Sequence, residues 1–191
     1  MENQEKYTKE KVTINLVWAN IFGVIMLIPI VLIYILPYRL VWKGSPHFAN
    51  FSLNHLFEKE WLVFLCIVAG VVAHELIHGI VWARYAKNGF KSIKFGVMWK
   101  MITPYCHCKE PLNVRQYIIG AMMPAIILGL IPAILAIVIG NVALLVFGMV
   151  FTVAGCGDFL IIHALRNEKK DTFVEDHPSE AGCFVYKPFE I

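Results

Sequence analysis

Residues 61–86 read WLVFLCIVAGVVAHELIHGIVWARYA, an apolar stretch that contains the pattern His-Glu-x-x-His at positions 74–78. The stretch is long enough to cross the hydrocarbon core of a bilayer, which takes about 20 residues of helix. Three ionisable side chains at membrane depth are costly, and polar groups are retained there mainly to line a site or a pathway. The sequence therefore predicts a membrane-spanning helix that carries a functional centre.

The spacing of the motif indicates a metal site. Residues four apart lie on the same face of a helix, so His74 and His78 can bind one Zn²⁺ ion. Glu75 lies a quarter-turn away, within reach of a water molecule bound to the metal. We therefore predict Zn²⁺ as the cofactor, His74 and His78 as metal ligands, and Glu75 as the catalytic general base.

A catalytic zinc site needs a third protein ligand and one open position. Asp158 is the leading candidate because it is the only carboxylate in the fourth apolar stretch of the chain. The small residues just before it would let another helix approach closely. Three alternatives stay open at this point: His163, Glu110 and Cys156.

The composition agrees with a membrane protein. Of the 191 residues, 58% are hydrophobic and only 16% are charged, which excludes an ordinary soluble domain. Four stretches approach spanning length, at about 14–36, 61–86, 116–139 and 141–165. Between the last two, Gly140-Asn141 predicts a tight turn. We predict an all-α polytopic membrane protein, with residues 1–191 forming a single membrane domain and 166–191 a cytoplasmic tail.

The basic residues indicate the orientation of the chain. If the N-terminus is cytoplasmic, only Arg39, Lys43 and Lys59 of the 17 basic residues fall on the outer side. The positive-inside rule then predicts a multi-pass protein of the plasma (inner) membrane with both termini cytoplasmic. This topology accounts for the net charge of +3, and nothing indicates a nucleic-acid partner. The expected partners are the lipid bilayer and a membrane protein or peptide substrate.

The connection between the second and third spans, from about 87 to 115, contains two short runs typical of strands, Ser92–Trp99 and Met101–Tyr105. We predict a short cytoplasmic β-hairpin there. Its edge could capture an unwound substrate by main-chain hydrogen bonds. The alternative is a plain surface hairpin that does not bind a substrate.

Several of these residues together resemble the zincin peptidase family, a domain family of unknown function. The resemblance covers about residues 60–165 and rests on His74–Gly79, Phe95-Gly96, Tyr105–Leu112, the helix with Pro124, and Gly157-Asp158. More distantly, the chain is similar to the site-2 proteases, whose three-helix core carries His-Glu-x-x-His on the first helix and an aspartate ligand on the third. The resemblance implies zinc held by His74, His78 and Asp158, with Glu75 as the base.

These observations predict an intramembrane zinc metalloprotease, a metalloendopeptidase of the His-Glu-x-x-His zincin type. Its substrates would be membrane-embedded or membrane-proximal proteins. The alternative is a non-proteolytic zinc-binding membrane protein, either one that senses or handles a metal or a pseudoprotease scaffold. Transport of a metal would need a polar path to the outer face, but residues 61–72 are essentially apolar, and a pseudoprotease would usually have lost Glu75 or a ligand.

Overall fold

A computed structural model describes residues 7–44, 60–99 and 103–188. Within these ranges the chain is mostly helical, with six strands. The elements are β1 (Tyr7–Thr13), α1 (Leu16–Val41), α2 (Glu60–Tyr85), β2 (Ile93–Met98), β3 (Thr103–Cys108), β4 (Leu112–Asn113), α3 (Val114–Pro124), α4 (Ile131–Ile139), α5 (Val142–Ala154), α6 (Cys156–Ala164), β5 (Phe173–Asp176) and β6 (Gly182–Pro188). A 3-10 helix, Gly89–Ser92, precedes β2, and a π-helical segment, Ala125–Leu130, joins α3 to α4.

Four helical segments of the described residues are long and apolar enough to cross a membrane: Val17–Val41, Glu60–Tyr85, Val114–Ile139 and Val142–Ala164. Only 11% to 28% of the apolar window of each is buried inside the protein, so most of its residues keep some exposed surface. An exposed apolar surface of this extent is unfavourable in water and suits lipid. The four predicted helices are therefore present, and they suggest a multi-pass membrane protein. The first extends to Val41, beyond its predicted end near 36.

The predicted hairpin between the second and third spanning helices is confirmed. Strands β2 and β3 pair antiparallel, with Ile93 opposite Cys108 and Met98 opposite Thr103. Its cytoplasmic location stays a prediction.

A second sheet was not predicted, and the chain is therefore mostly helical rather than all-α. It has four antiparallel strands in the order β1-β6-β5-β4. Strand β1 pairs with β6 from Tyr7 opposite Pro188 to Thr13 opposite Gly182. Strands β4 and β5 pair through Leu112 opposite Val174. The segment predicted to be a cytoplasmic tail thus supplies two of the four strands.

The chain divides into two compact units. The first contains the described residues of Met1–Ala19, Glu75–Met123 and Gly157–Ile191. Its core joins buried side chains of α2, α3 and both sheets, among them Trp82, Cys108, Tyr117, Val174 and Val185. The strands therefore share a core with the C-terminal half of α2, the helix that carries the His-Glu-x-x-His motif.

The second unit contains the described residues of Asn20–His74 and Pro124–Cys156. Gly140 ends α4 with φ of +75°, a left-handed conformation that glycine adopts without strain. The Tyr38 hydroxyl donates a hydrogen bond to the Gly140 carbonyl at 2.7 Å. The Asn141 side chain accepts one from the backbone N–H of Leu144 at 3.0 Å and so caps α5. The predicted tight turn at Gly140-Asn141 is confirmed.

Candidate metal centre

The motif residues lie on α2, a helix that continues from Glu60 to Tyr85 without an interruption. Because His74 and His78 are four residues apart, their side chains project from the same face. Both are buried, with 8% and 4% of their surface exposed. Glu75 is partly buried. The helix therefore holds two imidazole groups together in an environment with little access to water.

Asp158 comes from the first turn of α6. Its Oδ1 atom lies 3.5 Å from Nε2 of His78. His74, His78 and Asp158 each offer one potential ligand atom, and these atoms lie within 4.8 Å of one another. In the described part of the chain, no other group of three or more His, Cys, Asp or Glu side chains is arranged in this way.

This group fits zinc in its composition, and the separation of one ligand pair fits a shared ion. Two imidazole nitrogens and one carboxylate oxygen are a ligand set that catalytic zinc sites use, with a fourth position kept for water or substrate. With metal–ligand bonds of about 2.1 Å, two ligand atoms of a tetrahedral ion lie roughly 3.4 Å apart. The distance between His78 Nε2 and Asp158 Oδ1, 3.5 Å, agrees with that value. His74, His78 and Asp158 are thus the residues that would hold the ion.

The orientation of His78 is fixed from helix α3. Its Nδ1 atom donates a hydrogen bond to the Gly120 carbonyl at 3.0 Å. A carbonyl can only accept, so this bond places a proton on Nδ1, and the neutral imidazole then has its lone pair on Nε2, the nitrogen that faces Asp158. Histidine ligands of metals usually have such a partner on their other ring nitrogen.

Two aromatic rings extend from the imidazole of His78. Trp82 stacks on His78 with the ring centroids 5.0 Å apart and 14° between the planes, and Tyr117 stacks on Trp82 at 5.1 Å and 17°. The indole N–H of Trp82 donates to the backbone carbonyl of Tyr117 at 3.1 Å. The stack therefore joins α2 to α3 beside a candidate ligand.

Gly120→Ala should destabilise the protein, because Trp82 approaches this position too closely for a side chain. A Cβ atom on Gly120 would lie 2.0 Å from Nε1 and 2.3 Å from Cδ1 of Trp82. We expect the free energy of unfolding in detergent to fall by about 1–3 kcal/mol, as for an overpacked core. Gly157→Ala is the matched control, because nothing lies within 4 Å of a Cβ atom there. Equal stability of the two variants would contradict the prediction.

The hairpin packs on the motif helix at Gly79. A Cβ atom on Gly79 would meet Cζ of Phe95 at 2.5 Å and Cγ2 of Ile93 at 3.2 Å, so β2 lies directly against α2. On β3, burial raises the pKa of the Cys106 thiol, and the negative charge of Glu75 raises it further. Both strands of the hairpin therefore lie close to motif residues.

None of the three alternative ligands belongs to the group. The Glu110 carboxylate accepts hydrogen bonds from the backbone N–H groups of Lys87, at 2.7 Å, and Asn88, at 3.4 Å. His163 is exposed on α6. The Cys156 thiol donates to the backbone carbonyl of Thr152 at 4.0 Å. Asp158 is the one predicted candidate that the structure brings together with both histidines.

Sequence reasoning did not find Trp82, Tyr117 or Gly120. Trp82 follows His78 by four residues, and this spacing could have placed it on the same helix face as the ligands. Its partners on α3 belong to a different element, and no local pattern links them to the motif.

The four apolar helices and the group of two histidines and one aspartate suggest a class of protein, a multi-pass membrane protein with a candidate metal centre. A family model described as "Putative zincin peptidase" matches residues 67–173, and the chain belongs to this family. The matched range contains the motif, the hairpin and Asp158. No curated protein and no solved structure gave a significant match. Family membership confirms the resemblance found in the sequence, suggests a metallopeptidase and implies zinc.

Proposed function

We propose that this protein is an intramembrane zinc metalloprotease that hydrolyses peptide bonds of membrane-embedded or membrane-proximal proteins. The observation that carries the proposal is the compact group of His74, His78 and Asp158, whose ligand atoms lie within 4.8 Å of one another. It occurs in a chain whose helices are long and apolar enough to span a membrane. The distant similarity to site-2 proteases supports the same function.

Each residue of the centre has a distinct role in this proposal. Zinc, when bound, supplies a Lewis acid that polarises the scissile carbonyl and lowers the pKa of the attacking water. His74, His78 and Asp158 hold the ion. Glu75, about 100° around the helix from His74, takes the proton of the water and delivers it to the leaving amine.

We assign presentation of the substrate to the hairpin. A peptide bond within an intact helix is poorly accessible, so the substrate must be extended near the centre. Phe95 and Val97 of β2 are 41% and 38% exposed. In the residues that the structure describes, the hairpin sheet has only two strands, so the outer edge of β2 is suited to pair with an extended segment.

The proposed location is the plasma (inner) membrane, with both termini cytoplasmic. The distribution of basic residues supports this orientation. The pairing of β1 with β6 supports it as well, because the two ends of the described chain must then lie on the same side, as four spans require. The partners are the lipid bilayer and a membrane protein or peptide substrate, with no role for nucleic acid.

The test is the detection of new protein N-termini. The purified zinc-loaded protein is reconstituted into liposomes with solubilised membrane proteins of its expression host, and the N-termini formed are labelled and sequenced by mass spectrometry. We expect termini inside or next to membrane spans that disappear after treatment with a zinc chelator and return when zinc is added. A preparation that holds one zinc per chain and generates no such termini would favour the non-proteolytic alternative.

A further inference from the structure

Asp176 is the last residue of β5 and lies beyond residue 173, where the family match ends. Its carboxylate is only partly exposed and has two hydrogen-bond donors. Oδ1 accepts from the Tyr117 hydroxyl at 2.6 Å, and Oδ2 accepts from the backbone N–H of Cys108 at 2.7 Å. A single side chain of the C-terminal strands thus binds both α3 and the hairpin strand β3.

The bond to Tyr117 leads directly to the metal centre. The Tyr117 ring stacks on Trp82, and Trp82 stacks on the imidazole of His78. The backbone carbonyl of Tyr117 also holds the indole N–H of Trp82 at 3.1 Å. Asp176 therefore holds the hydroxyl of a tyrosine whose ring is connected to the His78 ring by two stacked contacts.

The ionisation state of the Asp176 carboxyl is consistent with its two accepted hydrogen bonds. Burial raises the pKa of Asp176 to about 6, although the hydrogen bonds from Tyr117 and from the Cys108 N–H act in the opposite direction. At neutral pH Asp176 is mostly ionised and can accept both hydrogen bonds.

We propose that Asp176 is a positioning residue for the metal centre, acting through Tyr117 and Trp82 on the imidazole of His78. The proposal rests on the zinc centre of the proposed function and extends it to the C-terminal strands. Hydrogen-bond partners that orient metal ligands typically change metal affinity by about 10- to 100-fold when they are removed. A contact two rings away belongs at the lower end of this range.

The test uses the full-length protein in detergent, with Asp176→Asn and Tyr117→Phe. The asparagine keeps the size of the side chain but cannot accept both hydrogen bonds, and the phenylalanine keeps the ring but loses the hydroxyl. Zinc affinity is measured by competition with a chelator, and the visible absorption of the Co²⁺-loaded protein reports the ligand geometry. We expect about a 10-fold loss of zinc affinity and a shifted Co²⁺ spectrum in both variants. The double variant should lose no more than either single one, because both remove the same contact.

Glu175→Gln is the matched control. Glu175 is the neighbouring carboxylate on β5 and accepts hydrogen bonds from Lys9 and Tyr186 instead of Tyr117 and Cys108. If Glu175→Gln lowers zinc affinity as much as Asp176→Asn does, the effect is one of sheet stability and the proposal is wrong. Wild-type zinc affinity and Co²⁺ spectrum in a folded Tyr117→Phe variant would also overturn it. Wild-type protein that binds no metal at all would instead refute the zinc centre itself.

Discussion

Glu75→Gln is expected to abolish peptide hydrolysis while zinc stays bound. Glutamine has nearly the size of glutamate, but its amide cannot take a proton from water at neutral pH. Glu75 is outside the group of three ligand residues, so the binding of the ion should not depend on its charge to first order. Because general-base catalysis contributes about 10²- to 10⁴-fold, we expect kcat/KM to fall by that factor.

The measurement pairs a cleavage assay with elemental analysis of the same preparation. Glu60→Gln is the matched control, because Glu60 is an exposed carboxylate in the first turn of the same helix. It should retain wild-type activity. Turnover near the wild-type rate in Glu75→Gln would remove Glu75 from the role of base, and loss of zinc from this variant would show that its carboxylate supports metal binding instead.

Local patterns in the sequence were sufficient to predict the four long apolar helices and the three side chains that the structure brings together. Hydropathy over some 20 residues located the helices, and the four-residue spacing of His74 and His78 placed two ligands on one face. Asp158 was found because a single carboxylate in an apolar stretch is conspicuous. The first helix continues past its predicted end near 36, with Pro37 inside α1 and the Tyr38 hydroxyl bonded to the Gly140 carbonyl.

The four-stranded sheet could not be predicted in the same way. Strand β1 has the sequence YTKEKVT, which is charged and exposed along most of its length and so lacks the apolar alternation that indicates a half-buried strand. Its partner β6 lies at the opposite end of the sequence. The contact between Asp176 and Tyr117 has the same character, because it joins residues 59 positions apart. Such pairings depend on the assembled core of the first unit and leave no local signal.

Asp158→Ala is expected to remove zinc from the protein, because two imidazole groups alone form an incomplete site. Structural sites with four ligands bind zinc with a free energy of roughly 10–16 kcal/mol, which is about 3 kcal/mol for each ligand. The loss of one ligand therefore corresponds to roughly a 100-fold weaker zinc affinity. Zinc per chain, measured by elemental analysis after dialysis against a weak chelator, should be near one in wild type and near zero in the variant. Asp171→Ala is the control, because Asp171 is exposed and outside the group.

The result of Asp158→Ala also separates the two functional alternatives when it is combined with Glu75→Gln. If Asp158→Ala loses both zinc and activity while Glu75→Gln loses activity alone, the ligands and the base act as a peptidase centre. If Asp158→Ala loses zinc but the wild-type protein cleaves nothing, the same residues form a binding site without catalysis. Full retention of zinc in Asp158→Ala would exclude Asp158 as a ligand. The third ligand would then have to be sought among His163, Glu110 and Cys156, and the 3.5 Å approach of Asp158 to His78 would be an ion pair between neighbouring side chains.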